Sequence, residues 1–176
     1  MKKAVFLVGI VATALLAAAC STLTTAVDYD HTVNWSQFHT FQLVEGTKDP
    51  MTFTQKRIED AITGQLTSKG WTATTGNPDI LVYTHTVLSH QKQWNATSTG
   101  GWGYRGWGGM GGGMATATET NIPIGTLVVD LVNPKTKELV WRGTASDQVS
   151  GTGEDQGKIQ DAVTELFKNF PPQPGK

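Results

Sequence analysis

The sequence predicts an α+β fold, with an antiparallel sheet packed on two helices as a two-layer sandwich and a glycine- and tryptophan-rich loop inserted between strands. Three observations predict it. Several short segments alternate apolar and polar residues or are dense in β-branched residues, as strands are. Two segments carry an apolar stripe at helical spacing. Between two of the strand segments, Gly100 to Gly113 holds nine of the chain's 20 glycines. A sheet with one apolar face must bury that face, and helices with one apolar stripe are the economical cover.

In chain order, the first 19 residues read as an address. Lys2 and Lys3 make a positive start, and Val5 to Ala19 is apolar or small apart from Thr13. That stretch is short for a membrane span and has the flanks of a secretory signal peptide. It closes on Leu15-Leu16-Ala17-Ala18-Ala19-Cys20, and Cys20 is the only cysteine of 176 residues. The pattern resembles the lipobox of bacterial lipoproteins. Ala17 stands where the lipobox favours leucine, and Leu16 lies one place too early. The resemblance implies cleavage before Cys20, acylation of its thiol by palmitate-class chains, and a membrane partner held through that lipid. Each buried CH₂ contributes about 0.8 kcal/mol, so two or three chains make attachment effectively permanent. Ser21, rather than an aspartate, follows the cysteine, which in Gram-negative sorting implies the outer membrane, facing the periplasm. An ordinary secreted protein with a cysteine near its cleavage site is the alternative.

Residues 20–26 are expected to form the lipidated terminus and a short tether, and 27–172 a single domain with a tail over 173–176. Strands are expected near Thr25 to Tyr29 and Thr40 to Val44, the second with His39, Phe41 and Leu43 on one face. A helix is expected to start near Asp49-Pro50, Thr52 or Thr54. Ile58, Ala61, Ile62 and Leu66 form its stripe, and Gly70 stands where a left-handed cap belongs. Gly64 weakens this helix by about 1 kcal/mol relative to alanine.

Trp71 to Thr74 is a further strand candidate. Asp79 to Ser89 has apolar groups on both faces, which predicts a central strand. Ile124 to Val132 and Glu138 to Ala145 form a hairpin around Asn133 to Lys137. Leu127, Val129 and Leu131 share a face, which Leu139 and Trp141 must join. That register puts Asp130 and Arg142 together on the opposite face, in reach of an ion pair. The last helix carries Ile159, Ala162, Val163, Leu166, Phe167 and Phe170 at ideal spacing, with a cap near Thr152 and an end at Pro171-Pro172.

Composition excludes several functions. A formal charge of −1 from 14 basic and 15 acidic residues makes no basic surface for nucleic acid. Removing the two leader lysines leaves 12 basic against 15 acidic residues, or −3. One cysteine excludes an internal disulfide and a thiolate-rich zinc site. His31, His39, His85 and His90 form no His-Glu-x-x-His pattern, and His85 and His90 point to opposite faces of a strand. No Gly-x-Ser-x-Gly elbow occurs. The adjacent acids Glu59-Asp60 and Glu154-Asp155 suit solvated helix ends. No catalytic residue, metal or cofactor is expected, and the chain is not expected to be an enzyme.

The glycine-rich insert reads in two ways. It is a flexible loop, or it is a contact loop in which Trp102, Tyr104, Arg105 and Trp107 stack on a sugar, a membrane interface or a protein partner.

Several segments together resemble one family. They are Asp28-Tyr29-Asp30 with Phe38 to Phe41, Arg57-Ile58 to Leu66 ending Lys69-Gly70, and Pro78-Asp79-Ile80-Leu81-Val82. They continue with Gly125 to Leu131, Leu139-Val140-Trp141-Arg142-Gly143, and Phe170-Pro171-Pro172. Over about residues 25–172 the chain is similar to bacterial lipoproteins carrying the domain of unknown function numbered 4136. The resemblance implies a periplasm-facing lipoprotein with no established activity, and it supplies no catalytic residues. Three roles stay open: the anchor, the lack of catalytic motifs and the aromatic insert point to a binding or structural module of the envelope that meets a protein or glycan; analogy of fold points to an accessory lipoprotein of an envelope transport or assembly complex; and a hydrolase, its site built by the fold, ranks third.

Overall fold

The structure is a computed structural model that describes residues 22–44, 53–98, 115–150 and 156–172. Among these residues six strands and two helices follow one another as β1 (Thr24–Tyr29), β2 (Thr40–Leu43), α1 (Phe53–Ser68), β3 (Thr72–Ala73), β4 (Ile80–Ser98), β5 (Ala115–Val132), β6 (Leu139–Gln148) and α2 (Gln156–Leu166). A single 3₁₀ turn, Trp35–Gln37, sits between β1 and β2. The strands form one sheet in the order β1-β6-β5-β4-β2-β3. This is an α+β fold.

The sheet is mixed, which corrects the expected all-antiparallel arrangement. β2 runs parallel to both β3 and β4, while β4, β5, β6 and β1 are antiparallel neighbours. Parallel strands need a long crossover, usually helical. The stretch between Leu43 and Thr72 contains α1 and supplies that crossover.

The two helical stripes are buried. Ile58, Ala61, Ile62 and Leu66 of α1, and Ala162, Val163 and Leu166 of α2, belong to one core with Phe41, Ile80, Val82, Leu127, Val129, Leu131, Trp141 and Ala145. The register explains the strand members. Leu127, Val129 and Leu131 pair with Thr86, Thr84 and Val82, and with Ala145, Gly143 and Trp141, so all lie on one face. α1 ends in a Schellman motif: Gly70, at φ 87°, donates to the Thr67 carbonyl and Trp71 to that of Leu66, with Trp71 buried beneath.

Several expected boundaries move. β1 starts one residue before the expected strand: Thr24, expected in the tether only, and Thr25 and Ala26, which fall in both the expected tether and the expected strand, pair with Ser146, Ala145 and Thr144 of β6. Their small, polar pattern suits an edge strand and hides the alternation. Leu139 does not join the core face and is 43% exposed, whereas Val140 is buried. The cause is a bulge: Leu131 pairs with Trp141 but Val132 with Leu139, so one residue is added and the side chains before Trp141 change face. β4 is a central strand but buries one face only, since Ile80, Val82 and Thr84 are buried while Leu81 and Tyr83 are half-buried and His85 exposed. α2 stops at Leu166, and Phe167 and Phe170 fill the core from the turns that follow. Those turns end at Pro171, whose peptide bond is cis. The expected cap at Thr152 lies outside the described residues.

Candidate functional site

An aromatic cluster holds one end of the molecule. Trp141 stacks on Phe167 with ring centroids 5.0 Å apart, and Phe170 meets Trp35, Trp71, Trp141 and Phe167 edge to face. Gly143 makes the stacking possible, because a Cβ there would lie 2.4 Å from Trp141 Cη2. The Leu-Val-Trp-Arg-Gly segment is therefore a packing device: its tryptophan folds back over its own glycine.

Asp130 and Arg142 are direct register partners on β5 and β6. Arg142 Nε and Nη2 each donate to one Asp130 carboxylate oxygen at 2.6 Å. Asp130 is nearly buried although it lies on the face away from the core, while Arg142 is half exposed. The fork geometry is the strong form of this contact. Hydrogen bonding to Asp130, followed by its charge, raises the affinity of Arg142 for its proton. The same row continues to Tyr83 on β4 and Asp28 on β1, so Arg142 stands between two acids. The pair braces the β5–β6 ladder.

Asp79 is a second polar junction, and sequence reading missed it. Its carboxylate accepts from the backbone amides of His39 and Thr40 at 3.0 Å each and from Thr40 Oγ1 at 2.9 Å. These donors, the His39 amide first, hold its pKa below the ordinary 3.8. Asp79 thus pins the start of β2 to the start of β4 where the two run parallel. Its place after Asn77-Pro78 is the one signal that could have found it, since turn carboxylates satisfy nearby backbone amides. Asp30 is likewise lowered, first by the Thr32 hydroxyl and then by its amide, in a solvent-facing turn.

The other end of the sheet is apolar and open. An apolar cavity of about 370 Å³ lies between Ile58 of α1, Ile159 of α2 and Leu88, Leu127 and Val149. This is near the lower limit of small-molecule sites, roughly 300–1,000 Å³. Gly125 leaves room for the Val149 side chain in this wall, because a Cβ there would meet Val149 Cγ1 at 2.8 Å. Lys158 closes one side, donating to the Gln148 carbonyl and lying 3.7 Å from Asp147. Thr22 Oγ1 donates to the same Asp147, which seats the start of the described chain on the cavity rim.

Beyond this end, β4 and β5 continue as a hairpin. Their pairing runs without a break from Ser89↔Ile124 to Ser98↔Ala115, whereas β6 ends opposite Ile124. Beyond Ile124 no third strand flanks this arm among the described residues. Ten residue pairs span roughly 30 Å at ~3.4 Å per residue. Lys92 and Glu119 bridge its face at 2.8 Å, and Trp94 is 65% exposed on it.

The arm explains where the glycine-rich segment belongs: residues 99–114 connect its two strands. Trp102, Tyr104, Arg105 and Trp107 of the expected contact loop, and Cys20 of the expected lipidation site, lie outside the described residues. Among the described residues no group of three or more His, Cys, Asp or Glu is placed to hold a metal ion, and no helix is long and apolar enough to cross a membrane.

These features define a small α+β domain whose polar junctions brace the sheet. The chain belongs to the family described as Domain of unknown function (DUF4136), whose model matches residues 25–172. That family indicates no catalytic class. Among curated proteins nothing matches the chain. Among solved structures it is similar to a PDZ domain protein from Parabacteroides distasonis, with a TM-score of 0.57 and 14% identity over 87% of this chain and 36% of that one. This chain therefore spans about a third of that protein, and the likeness is one of fold alone. A PelC dodecamer from Paraburkholderia phytofirmans aligns with a TM-score of 0.48 and 10% identity, over 82% of this chain and 95% of that one. A minor lipoprotein from Acinetobacter baumannii aligns with a TM-score of 0.37 and 12% identity, over 75% of this chain and 90% of that one.

Proposed function

We propose that the protein is a lipid-anchored module of the bacterial envelope that works by contact rather than by catalysis. It is held in the outer membrane through acyl chains on Cys20 and faces the periplasm. Its helices cover one face of the sheet in two layers, and the other face stays open. The arm formed by the outer halves of β4 and β5 is the observation that carries this reading. A hairpin flanked by no third strand adds little to the stability of a domain that already has a core. Among the described residues no strand pairs with either of its edges beyond Ile124, a feature that invites pairing unless it serves a contact. Trp102, Tyr104, Arg105 and Trp107 lie in the segment joining its strands, and aromatic side chains of this kind anchor protein and glycan interfaces.

Two measurements test the reading. Cys20→Ala is expected to release the protein from the membrane fraction and to abolish acyl labelling; a labelled, sedimenting variant refutes the anchor. Deleting Gly100 to Gly113 is expected to remove in-cell crosslinks to envelope partners and to leave sedimentation unchanged. Undiminished crosslinks refute a contact role for the segment.

A further inference from the structure

The amino terminus and the arm leave the sheet at the same end. Thr24 begins β1 beside Ser146, which pairs with Thr126 of β5. The arm starts two residue pairs further on, at Ser89↔Ile124. Cys20 is four residues before Thr24, so the extended chain between them covers no more than about 14 Å at ~3.6 Å per residue. The arm is about twice as long, roughly 30 Å. A lipid on Cys20 therefore holds this end of the sheet closer to the bilayer surface than the arm is long. An arm aimed at the bilayer would meet the surface before its full length was extended.

The side chains at this end agree with such a contact. Of the six large apolar residues left exposed among the described residues, the four most exposed are at this end: Phe53 at the start of α1 is 84% exposed, Trp94 65%, Leu88 58% and Val87 57%, against 46% for Val27 within β1 and 43% for Leu139 beside the far turn. Leu88 and Val87 line the apolar cavity together with Thr54, the neighbour of Phe53. The cations here are matched: Lys92 pairs with Glu119, Lys158 with Asp147 and Lys56 with Asp60. With cations matched by acids, attraction to anionic lipid contributes little and apolar and aromatic groups at the headgroup level carry the contact.

We infer that this end of the sheet, with Phe53, Leu88 and Trp94, is a membrane-contact surface that lies against the bilayer holding Cys20, with the arm along the bilayer surface. The inference rests on lipidation of Cys20. Acylation blocks the Cys20 thiol, so one introduced cysteine takes a spin label alone. The lipidated full chain carrying Trp94→Cys, Phe53→Cys or Lys135→Cys is placed in vesicles of phosphatidylethanolamine and phosphatidylglycerol. All three positions are exposed, so the fold is not at risk, and Lys135 lies in the turn at the far end of the sheet.

Labels at 94 and 53 are expected to be shielded from a water-soluble nickel relaxant and open to oxygen, and the label at 135 fully open to nickel. Raising the salt is expected to leave this contrast unchanged. Equal nickel access at 94 and 135 on vesicle-bound protein overturns the inference and leaves the anchor standing. Protein that lacks acyl label and fails to sediment with vesicles overturns both.

Discussion

The β4–β5 hairpin passes through two environments. Its inner half, Ile80 to Leu88 against Gly125 to Val132, is flanked by β2 or β6 and buries one face under the helices. Its outer half, Ser89 to Ser98 against Ala115 to Ile124, has the same unbroken pairing. There, every residue of β4 whose burial is described is exposed, and β5 is half-buried only at Ile122, Pro123 and Ile124. The β4–β5 ladder is equivalent in the two halves, so it cannot be what distinguishes them. Apolar burial does. A backbone hydrogen bond exchanged with water contributes about 0.5–1.5 kcal/mol net, while each large side chain taken out of water contributes about 1.5–3 kcal/mol. The inner half is held by its neighbours, and the outer half by its own ladder.

Truncating the inner half should have the largest effect. Leu131 is fully buried, opposite Val82 and Trp141. Leu131→Ala is expected to cost about 2–5 kcal/mol, read from the urea midpoint of the mature domain. A loss below about 1 kcal/mol would mean that the inner half is not core and would remove the contrast.

The next effect comes from the open face of that same half. Arg142→Ala strands a nearly buried carboxylate, and Asp130→Ala leaves a half-exposed guanidinium that water can solvate. The cost of an unmatched buried group exceeds the worth of the pair. Arg142→Ala is therefore expected to destabilise by about 1–3 kcal/mol, and Asp130→Ala by less. Equal losses would show that Asp130 is as well hydrated as its partner.

The root of the hairpin gives a smaller effect that depends on pH. The backbone amides and hydroxyl around Asp79 favour its ionised form, so its folded pKa lies below the unfolded 3.8. Its contribution to stability is present above that value and is lost as pH falls through the lower folded pKa. Asp79→Asn should flatten the decline of the unfolding midpoint below about pH 4 and change little of its slope above pH 5. An unchanged acid slope would place the carboxylate outside the network.

These contrasts also separate what is readable in the sequence from what is not. The stripes Ile58–Leu66 and Ala162–Leu166, and the alternation Leu127–Val129–Leu131, are legible because burial selects side chains at a fixed period. The pairing of Asp130 with Arg142 follows from the same period once the hairpin turn is placed. Parallel pairing of β2 is not legible, because its partners are chosen by the α1 crossover rather than by its four residues. Leu139 was misplaced because a bulge shifts the period by one without leaving a residue-type mark. The outer half was not legible as strand because Ser89 to Ser98 faces water on both sides and so has no apolar period. The cavity was invisible for a related reason, since Ile58, Leu88, Val149 and Ile159 come together only through the fold.

The smallest expected effect on stability is the most informative about the arm. Trp94 is a large aromatic whose removal from a core would cost about 3–5 kcal/mol. On the arm it is mostly in water, and surface changes of this kind fall within about 0.5 kcal/mol. Trp94→Ala should therefore leave the urea midpoint where it is. Amide hydrogen exchange should report the same division: amides of 89–98 and 115–124 exchange by local opening well before those of 80–88 and 125–132. A stability loss above about 1 kcal/mol, or exchange at the global rate in both halves, would show that Trp94 is covered within the molecule. The arm would then be part of the packed domain, and its exposed tryptophan would no longer point to a surface outside it.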